Sequence, residues 1–302
     1  MFDPHTLPSH PFTTADARGL GLSGDELTSA VATGDLQRPF RGVYAPGSLE
    51  LGTERRAQAA ALVLGPSSVL CDRSAAWLHG VDVMRYAELD LVPPLETCVL
   101  RGKRATERPE CAGRERDLWP EDITEVHGVP TTTPLRTALD LACRLRRREA
   151  LAALDAFMRH QGVTQWEMRR LLRRYRRRRG VVQARQLVPL ADPRAESPGE
   201  SWTRLVIHDH GFPRPVPQHW VHVDGVPTYR LDLAYPRARV AVEYDGSEFH
   251  SSPADRAADR RRRDRLRRRG WRIIVLTRDS FSREAVATWT AELAGYLAEA
   301  VA

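Results

Sequence analysis

Lysine is almost absent from this sequence. Lys103 is the only one among 46 Lys and Arg residues, so arginine carries nearly all of the positive charge. The formal net charge of +7 fits a polyanionic partner such as nucleic acid. Abundant alanine beside the arginine also fits GC-rich coding, which raises the arginine count without any function. The charge therefore favours a nucleic-acid partner and does not establish one.

Cysteine is scarce, and long apolar runs are missing. The four cysteines (Cys71, Cys98, Cys111 and Cys143) have no paired spacing. Their scatter argues against a zinc site or a disulfide framework and fits a reducing compartment. No apolar run approaches the roughly 20 residues that span a membrane, and no basic-then-apolar leader is present. We expect a cytoplasmic protein with no membrane partner.

The most informative stretch is residues 230–245. Two short apolar runs there have the composition of strands, and Pro236 lies in the turn between them. Because strand side chains alternate, Glu243 and Asp245 point the same way, and an antiparallel hairpin would bring Asp232 close to them. Carboxylates this close favour a neutralising cation, and oxygen ligands suit Mg²⁺. The alternative is three unrelated surface acids at strand ends.

The elements around this hairpin follow a definite order. Glu200 opens an amphipathic helix, and residues 216–223 read as a strand that precedes the hairpin. An arginine-rich helix over 253–269 and a last strand after Gly270 complete the order. This order, helix, three strands, helix, strand, resembles the PD-(D/E)XK nuclease core. More closely, it resembles the very-short-patch-repair endonucleases and their small bacterial relatives, over about the last third of the chain.

The resemblance implies a metal site. Asp232 falls at the position of the metal-binding aspartate on the second core strand, and Glu243 at the acidic position of the (D/E)XK element. It implies Mg²⁺, or Mn²⁺, held by Asp232, Glu243 and the carbonyl of Tyr244. Asp245 takes the place of the usual lysine. It cannot supply the lysine's charge, although a carboxylate there could hold a metal-bound water or a second ion.

Three further residues complete the implied catalytic set. His250 follows Gly246 by four residues, which is the repair-endonuclease spacing to the catalytic histidine. The resemblance therefore implies that His250 is the acid–base group and that Asp259 orients or charges it. Glu200 corresponds to the glutamate on the first core helix. The alternative for His250 is a structural or merely exposed side chain near a strand end.

Arginine is clustered at residues 169–179 and 256–269. The second cluster flanks the implied metal site, so we expect phosphate contacts from Arg256, Arg260 and Arg263. For the first cluster, a solvated helix face is the preferred interpretation.

The first fifty residues indicate a second DNA-binding element. Ser23 and Glu26 have the spacing of a capping box at the start of a second short helix. A basic hairpin follows over 34–44, and this organisation resembles a winged helix-turn-helix. The segment also resembles the N-terminal domain of AbiEi-type antitoxins, which implies DNA contact. The candidate contacts are Ser29, Thr33, Arg38 and Arg41. Protein docking is the alternative role.

The middle region is less informative. Its pattern predicts helices over 55–64, 74–79 and 166–175, a strand within 87–93, and one long helix from Pro134 to Met158. We therefore predict an α/β (α+β) chain of three domains. These are a winged helix-turn-helix (1–50), a mixed, mostly helical antitoxin-like domain (51–190) and a nuclease-like αβββαβ domain (191–302).

These observations predict a metal-dependent endonuclease that hydrolyses phosphodiester bonds in repair or phage defence, with DNA preferred over RNA as substrate. The alternative is a DNA-binding, antitoxin-type transcriptional regulator whose nuclease fold is not catalytic. A third hypothesis is a protein-interaction adaptor of a defence system.

Overall fold

The structure is a computed structural model that describes residues 7–65, 67–83, 94–103, 105, 111–246 and 253–300, with the backbone alone for 253–256. The chain forms two compact units, residues 1–141 with 170–174, and residues 142–169 with 175–302. Both contain helices and β-sheet, so the predicted mixed α/β class is confirmed. Within the described residues, no helix is long and apolar enough to cross a membrane.

Two helices and a small sheet form the N-terminal part of the first unit. The elements are β1 (Phe12–Thr13), α1 (Thr14–Gly19), α2 (Gly24–Thr33), β2 (Leu36–Phe40) and β3 (Val43–Pro46), with strand order β1-β3-β2. Ser23 and Glu26 accept hydrogen bonds from each other's backbone N–H, which is the predicted capping box. Phe40 packs edge-on against Trp77, with ring centroids 4.9 Å apart. This part therefore shares a core with the region that follows.

A five-stranded sheet of order β6-β5-β4-β8-β7 forms the rest of the first unit. The elements are α3 (Thr53–Ala61), β4 (Val69–Leu70), α4 (Asp72–Leu78), β5 (Leu95–Leu100), β6 (Cys111–Arg116), β7 (Ile123–Val126), β8 (Val129–Thr132) and α5 (Pro134–Arg144), of which residues 142–144 belong to the second unit. The sequence predicted a mixed, mostly helical region over 51–190, without the individual strands of this sheet. Strands of two to four residues, such as β4, β7 and β8, are too short to show an alternating pattern. The strand predicted within 87–93 lies outside the described residues.

A buried ion network anchors α5 in the first unit. Arg136 is 1% exposed and donates to Asp122 at 2.8 Å and to Asp140 at 2.9 Å. Asp140 also accepts from Arg116 at 2.7 Å. Loss of one partner from such a network leaves an uncompensated buried charge, so the network fixes the position of α5.

Four helices follow α5: α6 (Arg147–Gln161), α7 (Gln165–Leu171), α8 (Val181–Leu187) and α9 (Pro198–Asp209). The prediction of a single long helix from Pro134 to Met158 is wrong, because residues 145 and 146 interrupt the helix between α5 and α6. The side-chain amide of Gln183 donates to the carbonyls of Ala142 and Leu145 at 2.9 Å and 3.0 Å and so ends α5. Asp155 of α6 accepts from Ser201 of α9 at 2.6 Å.

The second unit ends in a four-stranded sheet of order β12-β11-β10-β9. The elements are β9 (Val216–Val223), β10 (Val226–Tyr235), β11 (Val240–Tyr244), α10 (Pro253–Arg268), β12 (Arg272–Leu276) and α11 (Arg283–Glu299). β9, β10 and β11 pair antiparallel, whereas β11 and β12 pair parallel. The predicted order of helix, three strands, helix and strand is therefore observed. Leu266 of α10 lies in the core on one face of this sheet.

Candidate functional site

The predicted hairpin brings acidic side chains together where β10 and β11 pair. Leu233 pairs with Val242, which places Asp232 opposite Glu243. Asp232 Oδ2 accepts a hydrogen bond from the backbone N–H of Tyr244 at 2.9 Å. Burial, together with the charges of Glu200 and Glu243, raises the pKa of Asp232 to about 7, although the hydrogen bond from Tyr244 lowers it. Three of the predicted site acids thus lie close to one another.

Glu200 is fixed by hydrogen bonds to both of its carboxylate oxygens. Oε1 accepts from Ser197 Oγ at 3.1 Å, and Oε2 accepts from the backbone N–H of Glu196 at 3.0 Å. The side-chain amide of Gln218 on β9 donates to the same Oε2 at 2.8 Å. Gln218 has a φ of 52°, a left-handed conformation that is unusual in a strand. No pattern in the sequence indicates the contact between Gln218 and Glu200.

Arg262 of α10 binds the buried carboxylate of Glu243, which is 6% exposed. Arg262 Nη1 lies 3.0 Å from Oε2 and Nη2 lies 2.7 Å from Oε1, while Nη2 also donates to the carbonyl of Arg230 at 2.6 Å. Burial opposes the charge of Arg262, but the hydrogen bonds and charge of Glu243, with the charges of Asp232 and Asp259, raise its pKa. Sequence reasoning missed Arg262, because nothing in a run of arginines indicates which one faces the sheet.

Arg263 and Asp245 form a second pair beside the first. Arg263 Nη2 donates to Asp245 Oδ2 at 2.7 Å. Arg263, predicted to contact phosphate, is therefore engaged inside the protein. The charge of Asp259 helps to raise the pKa of Arg262, so these two side chains lie near each other. His250 and the side chain of Arg256 lie outside the described residues, so their predicted roles stay predictions.

Tyr244 connects this cluster to α9. Its backbone N–H binds Asp232, and its ring covers Gly199 so closely that a Cβ at that position would lie 2.2 Å from the ring carbons. The ring centroid is 6.0 Å from that of Phe281. The sequence predicted the carbonyl of Tyr244 as a metal ligand. In the structure its amide positions Asp232 and its ring packs against Gly199.

The acidic cluster does not fit Mg²⁺ in this arrangement. Mg²⁺ needs near-octahedral coordination by oxygens that are free to face it. Both oxygens of Glu243 face Arg262, both oxygens of Glu200 accept hydrogen bonds, and Asp232 Oδ2 accepts from Tyr244. In the part of the chain that the structure describes, no three His, Cys, Asp or Glu side chains are grouped so as to hold a metal. Arginine supplies the neutralising charge here.

Two surfaces outside the cluster carry the predicted nucleic-acid contacts. On α2, Ser29 and Thr33 are exposed, and Arg41 is exposed in the turn between β2 and β3. Arg38 is half-buried, with its guanidinium 5.5 Å from the ring centroid of Tyr44. On α10, one outward face carries exposed arginines at helical spacing. They are Arg260, Arg261, Arg265 and Arg268.

Two segments of the chain match AbiEi antitoxin families. Residues 9–47 match the family model described as "Transcriptional regulator, AbiEi antitoxin". Residues 68–190 match the one described as "AbiEi antitoxin C-terminal domain". The AbiEi-type part of the resemblance is thus confirmed, and it extends into the middle region. The resemblance to very-short-patch-repair endonucleases stays a prediction.

Two mycobacterial relatives match most of the chain. This chain is 35% identical over 263 residues to "Uncharacterized protein MT2308" of Mycobacterium tuberculosis (strain CDC 1551 / Oshkosh). The same identity and length hold for "Uncharacterized protein Rv2248" of strain ATCC 25618 / H37Rv. Each alignment covers 87% of this chain and 93% of the relative. The chain therefore belongs to the same family as these mycobacterial proteins.

Proposed function

We propose that this chain is a DNA-binding transcriptional regulator of AbiEi antitoxin type, and that its nuclease-like sheet is not catalytic. The match of residues 9–47 to a transcriptional-regulator family carries the proposal. The observed order of two helices and a hairpin in that segment supports it, since this order is typical of winged helix-turn-helix domains. The match of residues 68–190 to the antitoxin C-terminal domain extends the support.

DNA contact in this proposal depends on placed side chains rather than on overall charge. Residues 9–47 contain three arginines and four carboxylates, so the segment has no net positive charge. The hydroxyl of Ser29 is suited to a base edge or a phosphate, whereas that of Thr33 already donates to Asp35 at 2.6 Å. Arg41 is suited to a phosphate near the hairpin. We infer that the arginines on the outward face of α10 add sequence-independent phosphate contacts.

The contacts of the N-terminal segment can be tested by substitution. We expect Ser29→Ala/Arg41→Ala to weaken binding to DNA upstream of the chain's own gene by about 10- to 100-fold, the worth of one or two direct contacts. Fluorescence anisotropy with a labelled duplex measures this. Arg18→Ala is the control, because Arg18 is also exposed but lies on α1. Equal losses in both variants would contradict the assignment of contacts to α2 and the hairpin.

A second candidate function is a metal-dependent endonuclease. The closeness of Glu200, Asp232 and Glu243 favours it, because PD-(D/E)XK enzymes place acids on these elements. It would require Arg262 to leave Glu243. Incubation of supercoiled plasmid with the protein and Mg²⁺ or Mn²⁺ tests it, and cleavage that disappears in Glu243→Gln would establish the nuclease. No cleavage under these conditions is the result that the regulator hypothesis predicts.

A further inference from the structure

An open cleft of about 620 Å³ lies within the second unit, away from the acidic cluster. The N-terminus of α6, the C-terminal half of α9 and the N-terminus of α11 form its walls. Arg146, Arg147, Arg148 and Arg283 line it, with Asp209 and Glu149 as the acidic members. Its volume lies in the range of small-molecule sites, roughly 300–1,000 Å³. The cleft therefore has the size and the charge for an anionic ligand.

Two of the four arginines are held by the protein. Arg147 Nη2 donates to Asp209 Oδ1 at 2.9 Å, and its Nη1 donates to Gln186 Oε1 at 3.0 Å. Arg148 Nη1 donates to the carbonyl of Phe281 at 3.2 Å, and the guanidinium lies 5.5 Å from that ring's centroid. These contacts fix the positions of two positive charges in the cleft wall.

The other two arginines are available to a ligand. Arg146 and Arg283 are exposed, and neither forms an ion pair or a side-chain hydrogen bond within the described residues. Arg146 is also the N-cap residue of α6, and no side chain caps this helix. The amides of the first turn of this 15-residue helix thus add their positive dipole to the same cleft.

One wall of the cleft is apolar. Leu205 and Val206 of α9 and Val286 and Ala287 of α11 line it. Such a wall can hold a flat or aliphatic group while the arginines hold charge. A ligand that uses both features has a polyphosphate end and an apolar or ring-shaped body.

We propose that this cleft binds a phosphorylated small molecule of nucleotide size. Its phosphates bind Arg146, Arg283 and the first-turn amides of α6, and its remaining part lies against the apolar wall. Guanidinium groups suit this task because they offer paired donors to phosphate oxygens. The arginines converge on one concavity, which fits a compact polyphosphate better than the extended backbone of DNA.

Calorimetric titration with tripolyphosphate and with ATP, without divalent ions, tests the proposal. The wild-type chain should bind both, and ATP should bind at least about 5-fold more tightly because its nucleoside reaches the apolar wall. Arg146→Ala/Arg283→Ala should weaken both by about 10-fold or more, since it removes two charge-assisted contacts. Arg173→Ala/Arg176→Ala is the matched control, because it removes the same charge from two exposed arginines that do not line the cleft, and it should leave both affinities unchanged.

Four outcomes would overturn the proposal. One is unchanged binding in Arg146→Ala/Arg283→Ala. Another is an equal loss in both double variants, which would show that overall charge alone attracts the anion. The third is equal affinity for tripolyphosphate and ATP, because the ligand would then use its phosphates only. A short single-stranded oligonucleotide is run in parallel, and binding of it alone through Arg146 and Arg283 would assign the cleft to nucleic acid instead.

Discussion

Arg262 binds both carboxylate oxygens of Glu243, at 3.0 Å and 2.7 Å, in the position where the sequence predicted a divalent cation. A guanidinium neutralises a carboxylate without the coordination geometry that a metal requires. The acidic side chains of β10 and β11 therefore form the centre of an ion-pair network between the sheet and α10. This arrangement favours a structural role for the nuclease-like elements.

Removal of Arg262 should expose a cation site. We expect Arg262→Ala to lower the free energy of unfolding by roughly 2–4 kcal/mol, because buried Glu243 then loses both close hydrogen bonds from a guanidinium and keeps only Arg263 Nε, 3.9 Å from its Oε2. Millimolar Mn²⁺ should restore part of that loss, since the freed carboxylates can then bind a divalent ion. Thermal unfolding with and without Mn²⁺ measures both effects.

Arg261→Ala is the matched control for this experiment. Arg261 is the neighbouring exposed arginine, with no ion pair to any described residue. It should change neither stability nor the response to Mn²⁺. An equal stabilisation of the wild-type chain by Mn²⁺ would contradict the account, because it would mean that Arg262 does not occupy the cation position.

The raised pKa of Asp232 makes stability depend on pH. Its carboxyl has a pKa of about 7 in the folded chain, against a usual 3.8. The folded state therefore keeps a proton that the unfolded state loses. The free energy of unfolding is therefore highest, as far as Asp232 is concerned, below about pH 4. It falls as the pH rises through about 7, by up to about 4 kcal/mol in total.

Substitution of Asp232 should reduce this dependence. Asp232→Asn keeps an acceptor for the Tyr244 amide and carries no charge, so we expect it to raise the free energy of unfolding by about 1–3 kcal/mol at pH 8. At pH 5 it should have little effect. Urea unfolding at the two pH values measures this, and a variant that is less stable than wild type at pH 8 would show that the ionised carboxylate is needed.

The contact between Tyr244 and Gly199 should be sensitive to a single methyl group. Gly199→Ala places a Cβ 2.2 Å from the ring, so the ring or α9 must move. We expect a loss of about 2 kcal/mol or more, as for overpacked cores. Gly295→Ala is the control, because Gly295 lies in α11 with no atom within 4 Å of its Cβ position, and it should stabilise the chain by about 0.5–1 kcal/mol. Equal effects of the two changes would contradict the packing role of Tyr244.

The sequence predicted those structural features that depend on residues close together along the chain. The capping box of Ser23 and Glu26 is encoded within four residues, and the approach of Asp232 to Glu243 follows from strand alternation and one turn. Other features depend on distant partners. Leu70 of β4 pairs with Thr131 of β8 across sixty residues, a pairing that no local pattern indicates.

Side-chain partners from other elements account for the remaining differences. The end of α5 is set by Gln183, about forty residues away, so its helical pattern alone predicted a longer helix. The roles of Arg262 and Arg263 as partners of Glu243 and Asp245 depend on how α10 is rotated about its axis against the sheet. Packing sets that rotation, and the arginine run conceals it because every face of the helix contains the same residue type.

The outward arginines of α10 should contribute to nonspecific DNA binding. We expect Arg260→Ala/Arg268→Ala to weaken binding to scrambled duplex DNA and to reduce the log–log salt dependence by about two, one for each lost phosphate contact. Arg146→Ala/Arg283→Ala removes the same charge elsewhere and should leave the slope unchanged. An unchanged slope in the α10 variant would show that these arginines face solvent and do not contact DNA phosphates.

A transcriptional regulator binds DNA upstream of its own gene more tightly than unrelated DNA, and a comparison of two duplexes measures this preference. The affinity of the full-length protein for DNA upstream of its own gene is compared with that for a scrambled duplex of equal length, at physiological salt without divalent ions. We expect the upstream DNA to bind about 10³-fold or more tightly, which is the lower range for specific regulators. Equal affinity for both duplexes would contradict the regulator hypothesis.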